Sequence, residues 1–586
     1  MRRTGPLTFF ILILAALVLA ACQPESQATT PTKTPTDAGS AEPPSTDTVP
    51  AVEVPPIIEV APGKTSEPGP GPTIEPVQEL ARPLVVLIDN DEGPITPANF
   101  NTFIGFWMIG WVYDSLFTRS PDLLPVPSLA TDATPSEDGL TWEVKLREDV
   151  SWHDGEPLTS ADVVFSYSFL IEAGRAPNLA AIDTVEANGD YALTIHMKQP
   201  APFFLNEGLA GYYIMPEHIW RDQVPVGGEL SQFQGFIGSG PYKLVDVVPG
   251  ESYTFEANQE YFRGAPLVDE IVAKIVKDRT QQFSQLQSGA ADAVLSSVPP
   301  ALVSEIESDP AIALAKGSDF FNYIYYTNGS RPPFDRPAVR QAIASAIDVD
   351  QLVKIVMLGQ GVPLPLSWYH PDLPWSINSP RAYDPQAARD MLEAEGLVDS
   401  DGDGLRELEG AALDLEILCD VNNPVEVRTT ELIGGMLAEV GIQATQRCQD
   451  IDTSVSFIWP NFVAVPDPDY DMAIWGWSSV VQFQRGFING MVNCDFGGVG
   501  WANLTGTCDP ELDELIAEFV STPDLARQDE LNQSIQARFA AVLPFIPLLS
   551  PTGNFAYLPE VYDGWVYVKG TGIMTVWSFL PPEAAP

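Results

Sequence analysis

The sequence predicts an α/β protein in which parallel and antiparallel strands mix with helices. Residues 413–419, 424–440 and 442–447 show in turn an apolar run, a helical pattern and a second run, which together form a βαβ unit. Strands joined through a helix lie parallel, so this unit predicts a mixed α/β lobe. Residues 140–147 alternate apolar and polar side chains after an Asp-Gly turn, which is typical of a half-buried antiparallel strand.

The length and composition indicate a large, folded and acidic protein. The chain has 586 residues, of which 45% are hydrophobic and 10% aromatic, enough for more than one buried core. It carries 30 basic against 79 acidic residues, a formal net charge of −49. Binding to nucleic acid needs clustered lysine and arginine, so we expect no nucleic-acid partner.

The first residues predict export. Arg2 and Arg3 precede an apolar run over residues 7–21, which as a helix spans roughly 22 Å, too short for a bilayer core of roughly 30 Å. The run ends in the tetrapeptide Leu-Ala-Ala-Cys at residues 19–22, which resembles the bacterial lipobox. The resemblance implies removal of a signal peptide at 1–21 and a lipid on Cys22; the alternative is an ordinary signal peptide with an incidental cysteine. We expect an exported protein, lipid-anchored on the outer face of the cytoplasmic membrane or in the periplasm, that meets the membrane only through its lipid.

Residues 22–83 are predicted to form a disordered tether. The stretch is rich in proline, threonine, serine and glutamate, and residues 23–83 include no aromatic residue. Such a composition buries too little apolar surface to offset the entropy of ordering. The folded part is therefore expected from residue 84.

Local patterns place the first elements of the folded part in order. The run Val-Val-Leu-Ile-Asp at 85–89 predicts a buried opening strand. Strand 140–147 is expected to bury the face that carries Leu140, Trp142, Val144 and Leu146. Thr159 and Asp162 then form a capping-box pattern that begins a helix.

Later helices are predicted to begin at prolines. Pro337 suits a first helical turn, and Asp384 caps a second helix that Pro385 begins and Gly396 ends. Residues 470–477 predict a further strand that carries two tryptophans.

Short motifs along the chain resemble, in the same order, the signature of bacterial extracellular solute-binding proteins of family 5. These proteins are the oligopeptide, dipeptide and nickel receptors of ABC importers. The matching segments are residues 128–130 (SLA), 138–141 (DGLT), 152–155 (WHDG), 159–163 (TSADV), 238–242 (GSGPY), 258–262 (NQEYF), 337–343 (PAVRQAI), 346–348 (AID), 383–385 (YDP), 441–442 (GI) and 544–548 (PFIPL). Most of them also have a local role as a cap, a turn or a core face.

The resemblance implies a periplasmic-binding-protein-like fold of type II, or cluster C, with two lobes joined by a hinge. Lobe I is expected over residues 84–325 and 547–586, with an inserted subdomain at about 121–232. Lobe II is expected over residues 326–546. A ligand would bind in the cleft between the lobes and favour their closed arrangement.

The resemblance further implies capture of an extracellular solute, most of all an oligopeptide, and its delivery to the permease of an ABC importer. An oligosaccharide or other solute, or a ligand sensor, are the alternatives. A secreted hydrolase is the least favoured class, because the chain has neither an HExxH pattern nor a GxSxG elbow. We expect a monomer without enzyme activity and without a cofactor; whether a structural calcium ion binds stays open.

Candidate ligand contacts are aromatic and polar residues of segments that would face the cleft, namely Tyr325, Asn328, Trp459, Trp475, Trp477 and Trp501. Tryptophan-rich loops suit stacking on a flat ligand, and the alternative for each residue is a place in the core. We expect at most one of Trp475 and Trp477 to face the core. Peptide-binding relatives hold the peptide's α-ammonium group with an Asp after the corresponding strand, but residues 478–485 contain no acid. This difference argues against an amino terminus anchored in that way.

Four further cysteines agree with export to an oxidising compartment. They allow three pairings, and proximity in sequence favours Cys419 with Cys448 and Cys494 with Cys508. Free buried thiols are the alternative.

A cluster of carboxylates imitates the start of a calcium-binding loop. Asp399, Asp401 and Asp403 occupy the first three ligand positions of an EF-hand, with Gly404 at the sixth. The twelfth position is Gly410, where an EF-hand has a glutamate. A structural calcium ion and an acidic, solvated turn therefore both stay open.

Overall fold

The computed structural model describes residues 80, 82–98, 103–173, 176–221, 236–377, 379, 381–460, 464–495 and 503–584. The predicted signal peptide, Cys22, nearly all of the predicted tether and Trp501 lie outside these residues. Within the described part, no helix combines the length and the apolarity that crossing a bilayer requires.

The described elements alternate between strands and helices, as the sequence predicts. The strands are β1 Leu84–Ile88, β2 Phe117–Arg119, β3 Pro125–Pro127, β4 Ala130–Pro135, β5 Thr141–Leu146, β6 Ile182–Ala187, β7 Ala192–Met197, β8 Tyr242–Val248, β9 Ser252–Ala257, β10 Glu270–Ile275, β11 Ala293–Val294, β12 Ala313–Ser318, β13 Asn322–Thr327, β14 Gly361–Pro363, β15 Glu407–Leu408, β16 Ala411–Ala412, β17 Asp414–Asp420, β18 Gln443–Gln449, β19 Met472–Trp477 and β20 Ile546–Tyr557. The helices are α1 Phe103–Val112, α2 Ser160–Glu172, α3 Glu217–Trp220, α4 Arg279–Gln287, α5 Pro300–Glu307, α6 Pro337–Ala346, α7 Val349–Ile355, α8 Pro385–Ala394, α9 Pro424–Glu439, α10 Ile451–Ile458, α11 Val480–Phe483, α12 Ile488–Val492, α13 Pro510–Phe519 and α14 Leu525–Val542.

One long mixed sheet organises the protein. Its hydrogen-bonded order is β18-β17-β19-β13-β20-β11-β1-β10-β9-β8, and β12 and β14 also pair with β20. β1 is parallel to β10 and β11, and β17 is parallel to β18 and β19. The predicted βαβ unit is confirmed as β17, α9 and β18, and the mixed sheet confirms the predicted α/β class.

Two stretches of chain run between the two ends of this sheet. The first half of β20 pairs with β13, where Tyr325 lies opposite Ile546, and its second half pairs with β12, where Ser318 lies opposite Thr552. β12 and β13 are consecutive in the chain, and both pair with β20. The two connections between the ends of the sheet, β20 and the segment from β12 to β13, therefore lie side by side. The predicted lobe limits, at 325/326 and 546/547, fall within β13 and β20; the limits themselves stay a prediction.

A separate four-stranded sheet lies within the segment predicted as an inserted subdomain. Its order is β4-β5-β7-β6, and α2 packs against it around its own apolar core. Trp142, Val144 and Leu146 of β5 are buried as predicted, but Leu140 is 37% exposed. The prediction for Leu140 is wrong because β5 begins one residue later, at Thr141, so that Leu140 still belongs to the turn.

The family-like motifs have structural roles in the described fold. Thr159 and Asp162 form the predicted capping box of α2. Asp384 accepts hydrogen bonds from two N–H groups of the first turn of α8. Gly238 packs against the backbone of α1, where an added Cβ would lie 1.8 Å from the carbonyl oxygen of Val112. Such a close approach leaves room for glycine alone.

Candidate ligand-binding cleft

A cleft of about 980 Å³ opens at the carboxyl ends of parallel strands. Asp89 follows β1, Ser296 follows β11 and Asn422 follows β17, and all three line it. Loops at the carboxyl ends of parallel strands form the crevice in which open α/β sheets bind their ligands. The sheet topology therefore builds this cleft as the candidate site.

The walls of the cleft come from both predicted lobes. One wall contains Ser296, Thr571 and Met574, and the other contains Met357 and Asn423. The side chains that line the cleft are largely apolar or aromatic, and they include Phe321, Tyr323 and Phe555. A cleft with apolar walls and a few polar groups is the usual form of a small-molecule site.

Most charged groups that line the cleft have a partner of opposite charge. Arg279 lies 3.1 Å from Asp89, and Arg428 lies 2.5 Å from Glu431. Burial raises the pKa of Asp319 to about 6, while the N–H of Phe321 donates a hydrogen bond that opposes the rise. Asp319 thus differs from the other cleft carboxylate, Asp89, which has an arginine partner.

The N-terminus of α9 adds polar groups to the cleft. Asn423 caps α9, and its amide donates a hydrogen bond of 3.0 Å to Glu426. Burial raises the pKa of the Glu426 carboxyl to about 7, and it raises the pKa of Tyr323 to about 12. These residues are ordered by the helix cap and would present amide and hydroxyl groups to a ligand.

Three of the predicted tryptophans come together, but they lie beside the cleft. The ring centroids of Trp459 and Trp477 are 5.8 Å apart, and those of Trp475 and Trp477 are 6.4 Å apart. The indole N–H of Trp477 donates a 2.6 Å hydrogen bond to the hydroxyl of Tyr326. All three tryptophans are half-buried and pack on the core around β13 and β19.

The expectation that at most one of Trp475 and Trp477 faces the core is wrong. Residues two apart on a strand point to the same face, and both indoles pack against the same core. Gly476 points to the opposite face, where the ring of Phe321 covers it and a Cβ would lie 2.3 Å from that ring. Phe321 and Tyr323, which the local sequence patterns do not single out, are therefore aromatic residues of this region that line the cleft.

Tyr325 and Asn328 have internal partners. Tyr325 is fully buried, and its hydroxyl lies 2.8 Å from the sulfur of Met472. The buried amide of Asn328 donates to the carbonyl oxygens of Pro468 and Tyr470, at 2.8 and 2.9 Å. Neither residue is among those that line the cleft. Trp501 lies outside the described residues.

The predicted cysteine pairs are neighbours in the structure. Cys419 on β17 lies opposite Cys448 on β18, and their Cα atoms are 4.4 Å apart. The Cα atoms of Cys494 and Cys508 are 4.8 Å apart. Both distances are within the range of disulfides.

The acidic turn brings its carboxylates together. One carboxylate oxygen from each of Asp399, Asp401 and Asp403 lies within 4.8 Å of the others, and all three residues are exposed. Asp399 also accepts hydrogen bonds from the N–H groups of Gly402 and Gly404, as expected of a tight turn. The calcium site stays a prediction.

A second contact joins the predicted inserted subdomain to predicted lobe II, outside the cleft. The ring centroids of Phe203 and Phe519 are 4.9 Å apart, and the guanidinium group of Arg485 lies over both rings. The N–H of Gly486 donates a 3.1 Å hydrogen bond to the Glu207 carboxylate. Burial raises the pKa of Glu207 to about 7, although Gly486, Arg119 and Arg485 favour its charged form.

The fold and the cleft define a solute-binding protein with two lobes. The family model of the bacterial extracellular solute-binding proteins, family 5 (middle part), matches residues 125–498, well over half of the chain. The chain therefore belongs to this family, as its motifs predict.

Individual relatives match this chain over most of their own length. The chain is 28% identical over 470 residues to the oligopeptide-binding protein AppA of Bacillus subtilis, which covers 77% of this chain and 83% of that protein. It is 26% identical over 469 residues to the probable di/tripeptide-binding protein 5 of Pseudomonas aeruginosa, and the match covers 75% of this chain and 84% of that protein. The solved structure of Bacillus subtilis AppA with a nonapeptide superposes with a TM-score of 0.69, covering 86% of this chain and 99% of that one, at 23% identity.

Proposed function

We propose that the protein captures an oligopeptide in its cleft and delivers it to the permease of an ABC importer. The observation that carries the proposal is the cleft of about 980 Å³ at the carboxyl ends of β1, β11 and β17. This volume is at the upper end of roughly 300–1,000 Å³ for small-molecule sites and suits a short chain rather than an ion. The relatives named above as peptide-binding proteins support the choice of ligand.

The proposal is tested by adding defined ligand pools to the purified full-length protein. Pools of random pentapeptides, of oligosaccharides and of nickel–histidine complexes are compared by native mass spectrometry and thermal unfolding. We expect the peptide pool alone to raise the melting temperature, because a ligand that binds the folded state stabilises it by mass action. A shift with the oligosaccharide pool in place of the peptide pool would contradict the proposal, and turnover of any pool would indicate an enzyme.

We further propose that the protein works as an exported, lipid-anchored monomer with two disulfides. The apolar run before Cys22 and the neighbouring pairs Cys419–Cys448 and Cys494–Cys508 support this proposal. Mass spectrometry of unreduced peptides should recover both pairs, and the N-terminal peptide should carry a diacylglycerol on Cys22.

Calcium in the acidic turn of Asp399, Asp401 and Asp403 is a separate proposal, supported by the closeness of their carboxylates. Isothermal titration with Ca²⁺ tests it. Replacement of all three residues by asparagine should abolish any heat of binding, while the peptide-dependent melting shift should stay.

A further inference from the structure

We infer that the carboxylate of Asp319 binds a positively charged group of the ligand, an ammonium or a guanidinium group. The inference rests on the proposed function and names a group that selects the ligand. Asp319 lies between β12 and β13, at the crossing between the two ends of the long sheet, and it lines the cleft. A ligand between the walls therefore passes within reach of this side chain.

Asp319 has no counter-ion of its own. Within the described ranges, no lysine, arginine or histidine nitrogen lies within 4.0 Å of its carboxylate. Its hydrogen bond from the N–H of Phe321 is 3.3 Å long. The two arginines of the cleft are engaged elsewhere, Arg279 with Asp89 and Arg428 with Glu431.

A carboxylate in this position is costly unless a cation reaches it. Removing a charge from water without a partner destabilises a protein, whereas an ion pair with hydrogen bonds recovers much of that cost. Burial raises the pKa of Asp319 to about 6, so the group is still mostly charged at neutral pH. A cation supplied by the ligand would complete the pair in the closed cleft.

The backbone around Asp319 holds the side chain in place. The next residue, Phe320, has φ of 65°, a left-handed conformation that is unusual for a residue other than glycine. Its ring is buried and packs 4.7 Å from the ring of His370, centroid to centroid. The N–H of Gly570 donates a 2.7 Å hydrogen bond to the carbonyl oxygen of Ser318. Strained backbone that is fixed from both sides is a common feature of binding sites.

The experiment compares three pools of pentapeptides made without lysine, arginine or histidine. The first pool has free amino termini, the second is N-acetylated, and the third is N-acetylated with one lysine added. The full-length protein, Asp319→Asn and the control Asp183→Asn are titrated with each pool. Asp183 is an exposed carboxylate on β6, in the separate four-stranded sheet.

We expect the parent protein and Asp183→Asn to bind one of the two pools that carry a cationic group about 10- to 100-fold more tightly than the acetylated pool without lysine. Asp319→Asn should lose this preference and keep its affinity for the acetylated pool without lysine. The unliganded Asp319→Asn protein should melt at the same temperature as the parent or higher, because a half-buried charge without a counter-ion is removed. An unchanged melting temperature shows that the variant is folded, so that a loss of preference reports on the site.

Two results would overturn the inference while leaving the proposed function intact. One is equal affinity of the parent protein for peptides with and without a cationic group, and the other is an unchanged preference in Asp319→Asn. Failure of the parent protein to bind any of the three pools would instead refute the proposed peptide ligand, and the inference with it.

Discussion

Glu207 shows how one buried side chain makes the stability of the protein depend on pH. Its carboxyl lies at the contact with Gly486 and is 8% exposed, and burial raises its pKa from the ordinary 4.5 to about 7. Between these two values the unfolded chain releases the proton that the folded protein keeps. The free energy of unfolding therefore falls as the pH rises from about 4.5 to about 7, and the loss persists above pH 7.

Replacement Glu207→Gln should remove this dependence. Relative to the parent protein, the variant should gain up to roughly 3 kcal/mol of unfolding free energy between pH 4.5 and pH 8. Urea unfolding at a series of pH values measures the gain, with the exposed Glu172→Gln on α2 as the control that should keep the parent profile. A constant difference between Glu207→Gln and the parent at all pH values would contradict the prediction.

At the scale of the element, Arg340 of α6 stabilises the end of another helix. The side chain is 1% exposed and donates hydrogen bonds to the carbonyl oxygens of Phe334, Val542 and Leu543. Helix α14 ends at Val542, and its last carbonyl groups lack partners within the helix. The arginine of the family-like motif at 337–343 is therefore a structural residue.

Replacement Arg340→Met should lower the free energy of unfolding by about 3 kcal/mol, because it leaves buried carbonyl groups without donors. Urea unfolding measures this loss. The matched control is Arg527→Met at the start of α14, where an exposed arginine contacts Glu518, and a much smaller loss is expected. An equal loss of unfolding free energy in the two variants would contradict a stabilising role of the buried Arg340 hydrogen bonds.

At the scale of the whole molecule, contacts outside the cleft should favour the closed arrangement of the predicted lobes. Phe203 and Phe519 pack together across two segments far apart in sequence, and Arg485 lies over both rings. None of these three residues lines the cleft as described. If the lobes part on release of the ligand, these contacts are lost, so they contribute to ligand affinity from a distance.

We expect Phe203→Ala to weaken binding of the peptide pool about tenfold, the equivalent of about 1.4 kcal/mol. Small-angle X-ray scattering should show a larger radius of gyration for the variant when the peptide concentration is limiting. Phe165→Ala serves as the control, since Phe165 is also half-buried and packs within the separate four-stranded core. An unchanged affinity for Phe203→Ala would argue against a role of this contact in closure.

Local patterns were sufficient to predict most elements and the family. The capping box of Thr159, the cap at Asp384 and the βαβ unit from β17 to β18 depend on residues within a few turns of each other. Periodicity and capping act at this short range, so they are readable in the chain. The shared face of Trp475 and Trp477 also follows from local sequence, because residues two apart on a strand point to the same side.

The location of the cleft was decided by the tertiary structure alone. Asp89, Asp319 and Asn423 are more than a hundred residues apart in the chain, and all three line the cleft. β1 and β11 run in one direction in the sheet and β17 runs in the opposite direction, and residues after the carboxyl ends of all three strands line the same cleft. Likewise, Tyr325 and Asn328 are polar residues near a predicted crossing, but the packing of β13 between β19 and β20 buries both. Which polar groups face a ligand depends on contacts between distant segments, and a pattern along the chain does not contain those contacts.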